Sequence, residues 1–439
     1  MVKFLHLGDI HVGYRQYKLI ERERDFFKAF LDICEKGAIQ EQVDFVLVAG
    51  DLFNYRSISP QSFNEAVFVF NKLKQANIPV IAIEGNHDFK EINNFNNLKG
   101  SWYEALAQNQ LIYFLYPQNE DQAFEKLIIN KKYLGGGYID LNSKGKNIRI
   151  IGSKWHGFNA GSTLRKYKKR IEEINENDHR ADFQIFMFHG GHENYLPVNR
   201  GGVSSNDFYC LQDTVNYIAL GHIHEHYCIQ NQIAKDFILN PGSTEANSTA
   251  ETDIQRGGIV AEIKADNSFD YSLLTNYYQR KFIKLDDIDA SKFSSLETLI
   301  SFIKEDLENK ISNCNDNRPI IQVNIIGRAK FDKSNEELSL LKDYIEGLGA
   351  LYCLVKWDVQ DEEITYIREE QNSLMSRQEQ ESSILKTILS SDEDITPEDF
   401  SSEMLQIKDL IINRNSESTE VLHQLEAFAD HSIKLTHGI

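Results

Sequence analysis

The sequence predicts an α/β protein in which short buried strands alternate with helices, followed by a small α+β domain and C-terminal helices. Three observations predict it. Six short apolar runs each end in a cluster of Gly, Asp, Asn or His; several of the segments between them carry helical spacing; and the texture of the chain changes beyond residue 275. The runs are residues 4–7 before GDIH, 45–48 before AGDLFN, 80–83 before EGNHD, 185–188 before HGGHE, 217–220 before GHIH and 237–239 before NPGSTE. Apolar runs this short, bounded by turn formers, read as buried strands, whereas Phe63, Val67, Phe70 and Leu73 recur at helical intervals. Ligands of α/β sheets collect outside the carboxyl ends of strands, which is where all six clusters fall, so one site could gather them.

Beyond residue 275 the chain reads FIKLDDI, a helical SLETLISFIKEDLENKI, a strand-like PIIQVNIIG, a helical EELSLLKDYIEGLG and a strand-like ALYCLVKWDV. A small α+β domain over residues 276–360 is expected. Residues 361–395 are polar and poor in large apolar side chains, as a linker or solvated helix would be. Residues 396–439 predict a helical hairpin, with Phe400, Met404, Ile407 and Ile411 on one stripe and Val421, Leu425 and Phe428 on the other.

A chain of 439 residues exceeds what one core organises, and 41% hydrophobic residues suffice to pack two or three units. No run approaches the 18 or so apolar residues that span a bilayer, and the apolar start MVKFLHLGDIH is broken by His6, Asp9 and His11, so no membrane partner is expected. Five scattered cysteines without a C-x-x-C pair fit a reducing cytoplasm. The net charge of −19 runs against phosphate binding, but residues 361–439 hold 18 Asp and Glu against 6 Lys and Arg, leaving −7 for residues 1–360. Any affinity for a polyphosphate backbone is therefore expected to lean on metal ions or a partner protein.

The strand-end clusters supply Asp9 and His11, Asp51, Asn86-His87-Asp88, His189, and His222 with His224. Any one of these histidines alone would read as a packed or solvent-facing side chain; nine such groups, all at strand ends, read as a site. Imidazole, carboxylate and amide donors together suit manganese, iron or zinc, and a carboxylate shared between two cations holds them about 3.5–4 Å apart. Asp51 is the candidate bridge. Residues two apart on an extended segment point the same way, so Asp9 with His11, and His222 with His224, can each offer two donors to one face.

The order D-x-H, GD, GNHD, H, GHxH resembles the calcineurin-like metallophosphoesterase superfamily over about residues 1–275. With DIHVGYRQY, GDLFN and NPGSTE it resembles, within that superfamily, the meiotic recombination 11/SbcD-type DNA double-strand-break repair nucleases. The resemblance implies a metallophosphoesterase β-sandwich flanked by helices. It implies one metal held by Asp9, His11, Asp51 and His224 and a second by Asp51, Asn86, His189 and His222, the pair being manganese, with magnesium, iron or zinc as alternatives. His87 would stabilise the transition state or protonate the leaving oxygen. Asp88 would either orient His87 or stabilise its turn. Asn54 stands where many members carry histidine; it can donate a hydrogen bond to phosphate but cannot shuttle a proton.

The implied activity is a 3'-5' exonuclease or endonuclease acting with an SbcC/Rad-fifty-type coiled-coil ABC ATPase docked on the terminal helices. Homodimerisation of the catalytic domain and DNA capping by residues 276–360 are implied too. The densest basic cluster, TLRKYKKRIEEI, puts Leu164, Tyr167, Ile171 and Ile174 on one face and Arg165, Lys166, Lys168 and Lys169 elsewhere, so these four, with Arg15 and Tyr17, are candidate DNA-binding residues. His192 and Glu193 are candidates for supporting the site. Two other readings compete: a phosphoesterase acting on nucleotides or other small phosphoesters, and a DNA-end-binding scaffold.

Overall fold

The computed structural model describes residues 1–88, 101–117, 119, 121–231, 235–312 and 318–361. The predicted linker and terminal hairpin, residues 361–439, fall almost wholly outside them. The chain divides into two compact units, one built from residues 1–285, 308–323 and 342–354, the other from residues 286–307, 324–341 and the segment from 355 onward.

The first unit is an α/β/β/α sandwich. Strands β1 (Val2–Leu7), β2 (Phe45–Ala49), β3 (Val80–Ile83) and β4 (Tyr113–Phe114) run parallel in one sheet. The second sheet takes β5 (Lys126–Leu127), β6 (Tyr138–Ser143), β7 (Lys146–Gly152), β8 (Phe183–His189), β9 (Tyr217–Gly221), β10 (Tyr227–Gln230) and β11 (Asp236–Asn240), in the order β10-β11-β9-β8-β7-β6-β5. The chain then returns to the first sheet with β12 (Gly258–Ile263) antiparallel to β1, and β13 (Phe269–Leu274) at its edge. All six predicted runs are strands.

Alternation along each strand sorts the core into layers. Phe4, Phe45, Leu47, Ile81 and Ile83 face Ile148, Ile185, Met187 and Ala219 of the other sheet, and Phe4 stacks on Phe45 while meeting the edge of Tyr217. Leu5, Leu7, Val46 and Val48 turn the opposite way, onto α1 (Ile20–Cys34), α2 (Pro60–Gln75) and α3 (Trp102–Gln108). The outer face of the second sheet, with Phe186, Phe188, Ile218 and Leu220, is covered by α4 (Ala160–Asp178) and α5 (Ser205–Tyr209). Helix α4 buries Leu164, Tyr167, Ile171 and Ile174, the predicted stripe. Helix α2 begins with Ser59 accepting from the Ser62 N–H and Pro60 in its first turn; it buries Ala66 and Val69 besides Phe70 and Leu73, while Phe63 and Val67 are only half-buried.

Past residue 275 come β14 (Phe282–Lys284), β15 (Ile288–Asp289), α6 (Leu296–Ser312), β16 (Ile320–Ala329), α7 (Asn335–Gly347) and β17 (Tyr352–Asp361), the α+β order read from the sequence. In the first unit β14 pairs with the start of β16; in the second, β15 pairs with Ile325 and Ile326.

Candidate metal centre

The site is built where the carboxyl ends of β1, β2 and β3 meet those of β8 and β9. Tight turns follow these strands, and Asp9, His11, Asp51 and His222 adopt positive φ of 51°, 53°, 51° and 90°. Non-glycine residues hold that conformation only where the surroundings impose it, and such strain clusters at functional sites. Glycines let the two sheets come this close. A Cβ on Gly50 would strike the His189 ring and one on Gly221 the Ala49 carbonyl, both across the sheets, while one on Gly85 would strike the Asp51 carboxylate within the first sheet.

Three groups of donors result: Asp9, His11 and His224; His11, Asp51 and His87; and Asp51, His189 and His222, each with ligand atoms within 4.8 Å of one another. Asn86 Oδ1 lies 2.9 Å from His222 Nδ1 and 3.1 Å from His189 Nε2, and the Nε2 atoms of His11 and His224 are 3.2 Å apart. Neighbouring ligands of a cation with bonds near 2.1 Å stand about 3 Å apart, so these spacings fit a coordination shell. His11 Nδ1 is buried with no hydrogen-bond partner among the described residues, and the set of imidazole, carboxylate and amide without thiolate fits divalent cations that accept nitrogen and oxygen together.

Hydrogen bonds outside the donor set fix its members. The backbone N–H of His222 donates to both oxygens of Asp9, at 3.0 and 2.8 Å, and that of His87 to Asp51 Oδ1 at 2.9 Å. His189 Nδ1 lies 2.7 Å from the Ala49 carbonyl, which accepts from it and turns Nε2 towards the other donors. Burial pulls His222 down to about 3 and His11 well below the ordinary imidazole range, so both are neutral and available as ligands. Burial would also lower His189, but the Asp51 carboxylate, 3.4 Å away, outweighs it and holds His189 at about 9; Asp51 is lowered in return. A cation entering there takes the place of a proton.

His87 Nδ1 is 2.7 Å from the backbone carbonyl of Asn54. Asn54 thus meets His87 through the main chain. The Asp88 carboxylate accepts the N–H groups of Leu52, Phe53 and Gly85 and the Tyr103 hydroxyl, contacts of the kind that stabilise a turn. His192 and Glu193 meet Ser205 at the start of α5 and organise that loop. Among the candidate DNA-binding residues, Arg15 is paired with Glu23 at 2.6 Å, Tyr17 stacks on Tyr352, Lys166 lies 3.0 Å from Asp121, and Lys168 lies 3.8 Å from Glu172. Arg165 and Lys169 are exposed, Arg165 at the edge of reach of Asp207.

Three features of the site escaped the sequence reading. Trp155 lays its ring 5.1 Å from His222 and 5.6 Å from His189, closing one side. It follows a strand, as IRIIGSKWHG shows, and could have been found by the rule that found the others. The Asn240 amide donates to the carbonyls of Ile223 and Glu225, clamping the turn that bears His224, and Gly242 and Ser243 of the same NPGSTE block pack their backbone on the His224 carbonyl. Glu251, 2.9 Å from His224 Nδ1, sits in a polar run with no periodicity to mark it.

The family description "Calcineurin-like phosphoesterase" matches residues 2–226, just over half the chain. The chain belongs to this family. Calcineurin-like phosphoesterases act through divalent metal ions, and this chain is a metal-dependent phosphodiesterase. Among curated proteins it is similar to the DNA double-strand break repair protein Mre11 of Methanococcus maripaludis, 27% identical over 78% of this chain and 82% of that protein. The Mre11 of Saccharolobus solfataricus is 27% identical over 78% of this chain and 80% of its own. The Mre11 of Archaeoglobus fulgidus is 36% identical, over 51% of this chain and 46% of its own length. Among the described residues no helix of this phosphoesterase is long and apolar enough to cross a membrane.

Proposed function

We propose that this chain is the manganese-dependent DNA nuclease of double-strand-break end processing, a cytoplasmic homodimer acting with an SbcC/Rad-fifty-type ATPase. The convergence of seven donors, Asp51 among them, with His87 beside them, carries the reading, and the similarity to proteins named Mre11 directs it towards DNA. Asp9, His11, Asp51 and His224 would hold one ion, and Asp51, Asn86, His189 and His222 the other. Bound cations supply positive charge to the phosphodiester undergoing attack. The chain's own share is positional. Ala49 fixes the His189 ring, the His222 N–H fixes Asp9, and the Asn54 carbonyl fixes His87 so that its other ring nitrogen can hold a proton for the leaving oxygen.

Purified protein incubated with end-labelled linear duplex and manganese, with and without a candidate ATPase, tests the proposal. Manganese-dependent shortening is expected; preference for a nucleotide monoester over DNA would overturn the substrate assignment. Deleting residues 396–439, outside the described residues, should abolish ATPase association while sparing cleavage of single-stranded or nicked DNA, and unchanged association would overturn the docking assignment.

A further inference from the structure

Among the described residues, His224 alone of the candidate ligands hydrogen-bonds a carboxylate that is not itself a candidate ligand. Glu251 Oε1 lies 2.9 Å from His224 Nδ1, its other oxygen accepts the Asn247 N–H at 2.8 Å, and Arg256 donates to the Glu251 carbonyl. On the opposite side of the ring, His224 Nε2 looks towards His11 Nε2 at 3.2 Å and Asp9 Oδ1 at 4.0 Å.

From this geometry we infer that Glu251 is a positioning residue, which fixes His224 to ligate through Nε2 and is itself held from behind by the buried Arg22 cluster. A carboxylate at one ring nitrogen fixes the tautomer and makes the other nitrogen a better donor to a cation. The support behind Glu251 is continuous. The Asn247 carbonyl accepts from Gln16 Nε2 at 2.6 Å, Gln16 Oε1 accepts from Arg22 Nε at 2.7 Å, and Arg22 pairs with Asp25 at 2.8 Å and Glu245 at 3.4 Å, all three of the latter fully buried. Arg280 completes the cluster with two hydrogen bonds to Asp25. Apolar side chains would fill that space without the desolvation that the three buried charges of Arg22, Asp25 and Glu245 incur, so stability alone does not explain the cluster, whereas holding the 245–251 loop in one arrangement does.

The inference rests on the metal reading of the site, and one titration separates the two. Manganese is titrated calorimetrically into the full chain, wild type and Glu251→Met, Glu251→Gln and Gln16→Met, with unfolding midpoints in EDTA as a check of folding. Wild type should take up two ions. Glu251→Met should weaken one of them about 10- to 100-fold and abolish the spin-coupled manganese signal at concentrations where wild type shows it. Glu251→Gln, which keeps an acceptor oxygen, should recover part of that affinity. Gln16→Met should weaken the same ion about three-fold, and it decides the matter if Glu251→Met fails to fold. Two ions bound by wild type and equally tightly by every folded variant would overturn the inference alone; no ion bound by wild type would overturn the metal reading itself.

Discussion

The ring of His87 is held by the main chain of Asn54, its Nδ1 2.7 Å from that carbonyl. The residue that replaces the histidine expected in the GDLF block therefore orients the neighbouring imidazole regardless of its own side chain. Asn54→Ala should leave cleavage within about ten-fold of wild type, while His87→Ala should cost at least about 100-fold, the lower end of what a positioned acid contributes. Initial rates on labelled duplex, beside metal content by atomic absorption, check both. Loss of an ion in His87→Ala would refute a chemical role for His87.

The carboxylate of Asp88 accepts four hydrogen bonds, so its removal should register in stability. Its removal leaves the buried N–H groups of Phe53 and Gly85 and the Tyr103 hydroxyl hydrogen without their acceptor, each costing about 1–3 kcal/mol, while the Leu52 N–H keeps the Tyr103 oxygen. Asp88→Ala should lower the midpoint of thermal unfolding by several degrees in EDTA as well as in manganese. An unchanged midpoint with lost cleavage would assign Asp88 to the orientation of His87 after all.

Glu84 gives the protein a pH signature. Burial, reinforced by the charge of Asp88, pushes its carboxyl up to about 8, and Oε1 has no hydrogen-bond partner among the described residues. Unfolded glutamate titrates near about 4.3, so between there and about pH 8 the folded protein holds a proton that the unfolded chain has lost. Stability then falls as pH rises through that window and levels off above it. Glu84→Gln should unfold at a higher temperature than wild type, with a gap that widens from about pH 5 to about pH 8, as differential scanning fluorimetry would record.

The basic face of α4 is less free than its sequence suggests. Lys166, Lys168 and Arg165 lie near Asp121, Glu172 and Asp207, although Arg165, Lys166 and Lys169 are exposed. Replacing Arg165, Lys166, Lys168 and Lys169 with Ala should reduce the slope of log K against log salt by about one for each phosphate that these side chains neutralise, which we expect to be one or two. An unaltered slope in fluorescence anisotropy would place the duplex elsewhere.

What could be read in advance followed from locality. A buried strand announces itself in about five residues, and a ligand at its end is a residue or two further on, so the strands and the positions of Asp9, Asp51, His189 and His222 were legible. The NPGSTE block was visible as a motif, yet the work of Asn240 and Gly242 on the His224 turn depends on strands brought together by the fold. Glu251 was illegible for the same reason: its partner is 27 residues away and its own segment has no periodic pattern. The main-chain contact of Asn54 with His87 was hidden differently, because a main-chain carbonyl is common to every residue type.

The glycines at the seam tie the metal to the fold itself. Gly50 and Gly221 bring the ends of two separate sheets into close approach, and the donors on either side belong to different sheets. Ions seated there would act as rivets through the sandwich, resisting any sliding of one sheet over the other. The protein's rigidity and its chemistry would then draw on the same few atoms, and metal scarcity would loosen the fold as it silenced the reaction.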